Sequence, residues 1–76
     1  MNNTRDEKIL RGFGGNLKII RKNKKLSLRK LADIADVDFS QIHRIEKGES
    51  NPTLTMIFAL ADALHVKATE LLNFQK

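Results

Sequence analysis

With 76 residues, no cysteine, one proline, four glycines and 41% hydrophobic residues, the chain fits one small domain and is too short for two. The absent thiols exclude a disulfide framework and any cysteine-ligated metal, and the scarcity of proline and glycine argues for helices over a turn-rich β fold. The net charge of +5 disfavours a cationic partner and leaves a polyanion open.

Five helices and no strand are predicted, as one domain over residues 1–76 with 1–7 flexible. The polar start MNNTRDEK has no apolar run behind it and does not read as a signal peptide. The first helix is predicted from about Lys8 to Lys24, with Leu10, Phe13, Leu17 and Ile20 on one stripe of a 3.6-residue period. Thr4 and Glu7 have capping-box spacing. Gly12, Gly14 and Gly15 each weaken this region by roughly 1 kcal/mol relative to alanine, so its N-terminal end is expected to fray. RGFGGN lacks the glycine spacing of a phosphate loop and follows no strand; it reads as a poor helix start or a close helix contact.

The second helix is predicted from about Leu28 to Ala35, with Ser27 as N-cap, Leu26 and Leu31 as a hydrophobic staple, and Leu31, Ala32 and Ala35 facing inward. Ala32 is small enough to let another helix cross closely. Asp36 takes the turn, because aspartate tolerates the left-handed conformation better than most residues. Asp38 then caps a third helix, with Gln41 as reciprocal partner and Val37 and Ile42 as a second staple. That helix runs from Phe39 to about Lys47, where Gly48 supplies the C-terminal turn. ESNPT is a loop, and Thr53 caps a fourth helix from about Leu54 to Leu64, its core stripe read as Leu54, Ile57, Phe58, Ala61 and Leu64. The stretch MIFALADAL within it is broken by Asp62 and too short to span a bilayer. A short fifth helix, about Ala68 to Asn73, has a weak cap at Lys67.

Charge is unevenly spread. From Lys8 to Lys30 there are nine basic residues and no acidic one, whereas residues 51–76 hold two of each sign. Such an excess fits a polyanion partner; it fits a solvated helix face equally well. His43 and His65 lie on different predicted elements with no carboxylate cluster at metal-ligand spacing, so no metal, cofactor or catalytic residue is expected.

Two short helices joined by a tight turn inside a small basic five-helix domain make a helix-turn-helix pattern. Across about Phe13 to Leu72 the pieces FGGNLKIIR, LSLRKLA, VDFSQIHRIEKG and NPTLTMIFALADALHV, followed by ELL, together resemble the Cro/phage-repressor class, the XRE family. The resemblance implies a compact all-α, repressor-like domain with a recognition helix at about 39–47 in the major groove of double-stranded DNA, dimers reading two half-sites about one turn apart. It implies base contacts from Phe39, Ser40, Gln41 and Arg44, and phosphate contacts from Ser27, Arg29, Lys30, Lys47 and Asn51. It also implies a buried ion pair between Glu46 and Arg21. The expected protein is a non-enzymatic, cytoplasmic transcriptional regulator without membrane contact, a homodimer through its C-terminal helix, with Leu71, Leu72 and Phe74 as interface residues. Phe39 departs from the polar residue usual in the class, and Leu28 stands where glutamine often touches DNA. Asp36 and His65 stand where glycine is frequent. Leu28 and Phe39 support a competing reading, an antitoxin-like or adaptor module that grips another protein.

Overall fold

The computed structural model describes residues 6–75 as α1 (Glu7–Asn23), α2 (Leu28–Ala35), α3 (Phe39–Glu46), α4 (Leu54–Leu64) and α5 (Ala68–Leu71), with no strand among them. α1 begins at Asp6, whose carboxylate accepts from the backbone N–H groups of Lys8 and Ile9 at 2.9 and 3.2 Å; Thr4, expected to cap it, lies outside the described residues, as does most of the 1–7 segment. α1 packs on α3 and α5, α2 on α3 and α4, and α4 on α5. Leu17, Leu31, Ile42, Ile45, Leu60, Leu64 and Leu71 are fully buried where these faces meet. Each contributes about 1.5–3 kcal/mol of hydrophobic stabilisation.

Four helices end in the same way. Lys25, Asp36, Gly48 and His65 have φ of 62°, 56°, 76° and 58°. The next residue's N–H then reaches a carbonyl five residues back: Leu26 to Arg21, Val37 to Ala32, Glu49 to Arg44 and Val66 to Ala61, at 2.9–3.2 Å. This bond satisfies carbonyls that a helix end otherwise leaves open. Lys25 was not foreseen as such a position; nothing in its side chain favours the left-handed region.

Two expectations are corrected. α4 does not bury Leu54 and Phe58, which are 68% and 54% exposed; Leu60, Ala61, Ala63 and Leu64 are its buried residues. The helix is apolar nearly all round, so period alone permits more than one inward stripe. The polar positions Thr55 and Asp62 mark the outward face, and Phe58 falls between them at helical spacing. At the C-terminus, α5 stops at Leu71. The side-chain amide of Asn16 donates to the carbonyls of Glu70 and Leu71 at 2.9 Å each, and Phe74 folds back edge-on to Phe13 with ring centroids 6.2 Å apart. Leu71 is core and Phe74 half-buried, so of the three expected interface residues only Leu72 is exposed.

α1 does not break at its glycines, because two of them face packed neighbours. A Cβ on Gly14 would lie 2.7 Å from the carbonyl oxygen of Glu46 and nearer still to that of Ile45, and one on Gly12 would strike the Phe74 ring, whereas nothing lies within 4 Å of that position on Gly15. Gly14 therefore lets α1 cross the last turn of α3 at backbone contact. Beside it, the Arg21 guanidinium meets the Glu46 carboxylate as a fork, Nε to Oε2 at 2.7 Å and Nη2 to Oε1 at 3.0 Å, while Nη1 donates to the Leu26 carbonyl at 2.8 Å. The two side chains are 7% and 3% exposed. Glu46 is the last residue of α3, at the negative end of the helix dipole, where a carboxylate is disfavoured; the guanidinium offsets that.

Removing one partner strands the other charge. Glu46→Ala is expected to cost about 3–5 kcal/mol in urea unfolding, and replacing both residues by apolar ones of similar volume to cost far less; a Glu46→Ala loss below about 0.5 kcal/mol, the range of an ordinary surface substitution, would refute this role. The glycines give a paired test. Gly15→Ala should stabilise by roughly 0.5–1 kcal/mol. The same change at Gly14 should destabilise by about 1–3 kcal/mol, and equal effects would mean that the crossing is not tight.

Candidate nucleic-acid interface

α2 and α3 are joined by Asp36–Val37–Asp38. The left-handed Asp36 (φ 56°, ψ 47°) turns the chain, and half-buried Val37 packs against the core. Asp38 occupies the N-cap position of α3, but its side chain does not bond the first turn. Its carboxylate accepts the Ser40 hydroxyl instead, a local bond of the kind that competes with capping. The expected Asp38–Gln41 box is therefore absent, and the first-turn amides of α3 lack a side-chain cap.

α3 shows two faces. Ile42, Ile45 and Glu46 are buried, while Ser40, His43 and Arg44 are exposed and Gln41 is half-buried. Arg44 is in none of the ion pairs found among the described residues. Its five N–H donors are thus available in the forked geometry that matches two acceptors on one edge. Phe39 is half-buried against the core. The Arg29 guanidinium carbon lies 4.7 Å from its ring centroid, and the His43 ring stacks against it at 6.3 Å and 30°. Leu28, the other unusual residue, also packs partly against the core.

Exposed cations gather at the α1–α2 connection. Lys22, Lys24 and Lys25 close α1, and Arg29 and Lys30 open α2. The Ser27 hydroxyl accepts from the Lys30 N–H at 3.0 Å and keeps its own proton to donate. The positive pole of α2 adds to this field. Arg21 does not, because its charge is spent on Glu46. Lys47 lies 3.3 Å from Glu49, and Arg11 lies 3.9 Å from Glu7. Asn51 lines an apolar groove of about 90 Å³ with Ile9, Leu10, Phe13, Pro52, Ile57, Leu72 and Phe74. The structure thus gathers Ser27, Arg29 and Lys30 at the head of α2 and joins that head to the start of α3 through Phe39. Arg29 over Phe39 was not anticipated; both residues were visible in the sequence, but their meeting depends on the turn between them.

Among the described residues no group of histidine and carboxylate side chains could hold a metal ion, and no helix is long and apolar enough to cross a membrane.

Among curated proteins none is significantly similar in sequence. Solved structures are. The restriction-modification controller protein C.AhdI from Aeromonas hydrophila is 37% identical, with a TM-score of 0.80, over 82% of this chain and 94% of that one. The hypothetical transcription factor NHTF from Neisseria is 31% identical, with a TM-score of 0.81, over 97% and 86%. SinR, a master regulator for biofilm formation crystallised in complex with DNA, is 32% identical, with a TM-score of 0.77, over 80% and 98%. The helix-turn-helix (HTH_3) family model matches residues 17–71, which hold the α2–turn–α3 unit, the Arg21–Glu46 pair and the faces that bury them, and the chain belongs to that family.

Proposed function

We propose that this protein is a sequence-specific transcriptional regulator that inserts α3 into the major groove of double-stranded DNA. The observation that carries the reading is the outer face of α3, where Ser40 and Arg44 are exposed and Phe39 carries Arg29 from the head of α2. Arg44 donates a bidentate pair to guanine O6 and N7, worth about 1–3 kcal/mol of discrimination. Ser40 and Gln41 serve neighbouring base edges. Ser27, Lys30 and Lys47 hold the backbone with Asn51, and the α2 N-terminus receives a phosphate. SinR was crystallised with DNA, and the other two relatives are a restriction-modification controller protein and a hypothetical transcription factor; by the same kinship the chain acts as a regulator in the cytoplasm and not as an enzyme.

The protein works as a homodimer on a two-fold site, which doubles the few contacts one small domain makes. Its interface is the outer surface of α4 and the end of α5. Leu54 and Phe58 lie one turn apart on α4, and Leu72 is half exposed at the groove beside it. The competing adaptor reading drew on Leu28 and Phe39 as outward apolar residues. Both pack partly on the core, which weakens that reading.

Selection of bound sequences from random duplex DNA tests the proposal. An enriched two-fold site is expected, with preference relaxed at one position per half-site in Arg44→Ala, and with affinity falling as log[salt] at a slope of about −0.9 per phosphate contacted. No enrichment, or salt-sensitive binding of any duplex alike, would refute sequence-specific regulation. In sedimentation equilibrium the wild type should be dimeric and Phe58→Ser monomeric. An unchanged dimer in the variant would move the interface elsewhere.

A further inference from the structure

We infer that Arg29 reads a base, not a phosphate, and that Phe39 is the positioning residue that delivers it to the groove. The inference rests on the DNA-binding reading of α3 and adds a second specificity determinant to it. Phe39 is the first residue of α3, and the N-terminal residues of a recognition helix are the ones that meet base edges. A phenyl ring there has no hydrogen-bonding group and meets bases only through apolar contact. This ring is half-buried against the core and carries the Arg29 guanidinium at 4.7 Å from its centroid, within the range of cation–π attraction. His43, one turn on, stacks on the same ring, so core, guanidinium and imidazole together restrain it.

A guanidinium carbon over the ring at 4.7 Å is held through its charge, an attraction that uses none of its N–H groups on an oxygen acceptor. Among the described residues Arg29 joins no ion pair, so these donors have no competing carboxylate. A planar fork fixed at the head of the recognition helix matches guanine O6 and N7. Arg29 thus brings from α2 the polar group that Phe39 lacks. From Phe39 to Arg44 is a rise of about 7.5 Å along α3, so the Arg29 base pair lies about two base pairs from the one read by Arg44, at ~3.4 Å per step.

The experiment is duplex selection followed by titration of the selected site, with the full chain carrying Arg29→Ala, Arg29→Lys, Phe39→Leu or Arg29→Ala with Phe39→Leu. Leucine keeps apolar packing and removes the π face, and a thermal melt of each variant checks that it folds. Arg29→Ala and Phe39→Leu should relax preference at one and the same base pair, about two pairs from the position relaxed by Arg44→Ala. The loss for Arg29→Ala should be roughly 5- to 150-fold in discrimination. Arg29→Lys should not restore it, because an ammonium has no planar fork. The double variant should lose no more than Arg29→Ala alone. Arg29→Ala weakening all sequences equally and reducing the salt slope by about one would mean a phosphate contact and overturn the inference while leaving the regulator reading intact. Additive losses in the double variant would overturn the positioning role of Phe39. A wild type that enriches no site overturns both readings.

Discussion

The orientation of α3 depends on how its last turn is held. A short helix gains little stability from its own hydrogen bonds, and tertiary contact must fix it. Here the contact is made twice within one turn, by backbone against backbone at Gly14 and by the buried fork of Arg21 on Glu46. Neither is an efficient source of stability. Glycine inside a helix costs about 0.5–1 kcal/mol relative to alanine, and a buried ion pair gives back in Coulomb energy little more than desolvation takes. Their common effect is geometric. The glycine sets the separation of α1 and α3, and the fork sets the rotation, because only one placement satisfies both carboxylate oxygens. The third guanidinium bond, to the Leu26 carbonyl, extends the same clasp to the segment just before α2. One side chain therefore ties together α1, the entry to α2 and the end of α3.

The opposite end of α3 is fixed by the turn. With Asp36 left-handed and Val37 bonded back to Ala32, the chain leaves α2 in one direction only, and the burial of Val37 makes a different exit costly. Similar turns close α1, α3 and α4. Only the one after α3 uses glycine. The other three place lysine, aspartate and histidine at positive φ, each bearing a cost of roughly 1–2 kcal/mol that the helix-end bond and the following half-buried residue must offset. Leu26, Val37 and Val66, the residues that follow, all pack against the core.

The helices were legible because their ends are chemically marked. Ser27, Asp36, Thr53 and His65 bound α2 and α4 where capping and turn chemistry place them. What the sequence concealed were matters of facing. α4 is too uniformly apolar for period alone to pick its buried stripe, and only the sparse polar pair Thr55 and Asp62 marks the outside. The glycines of α1 look like weakness in one dimension, since the carbonyls that need Gly14 come from residues some thirty positions away. Asp38 stands at the N-cap, yet a hydroxyl two residues on takes its carboxylate. No local rule ranks those two bonds. The pairing of Arg21 with Glu46 was implied by family likeness; composition would have counted Arg21 among the exposed cations.

That last point changes how the basic charge is read. Nine basic residues between Lys8 and Lys30 suggest a field spread along α1 and α2, but the fold divides them. Arg21 is withdrawn into the core, and Arg11 has Glu7 within 4 Å. Of the seven that remain, Lys8 and Lys18 lie along α1, and five gather at the α1–α2 connection, Lys22, Lys24, Lys25, Arg29 and Lys30, with the positive pole of α2 among them. Flexible lysines there supply attraction that is long-range, indifferent to sequence and screened by salt. An arginine held over an aromatic ring has given up part of that freedom. The distinction is physical, and in the proposed reading it separates steering from reading: there the lysines would bring DNA to this end of the molecule, and the side chains fixed on or against α3 would discriminate among the sequences that arrive.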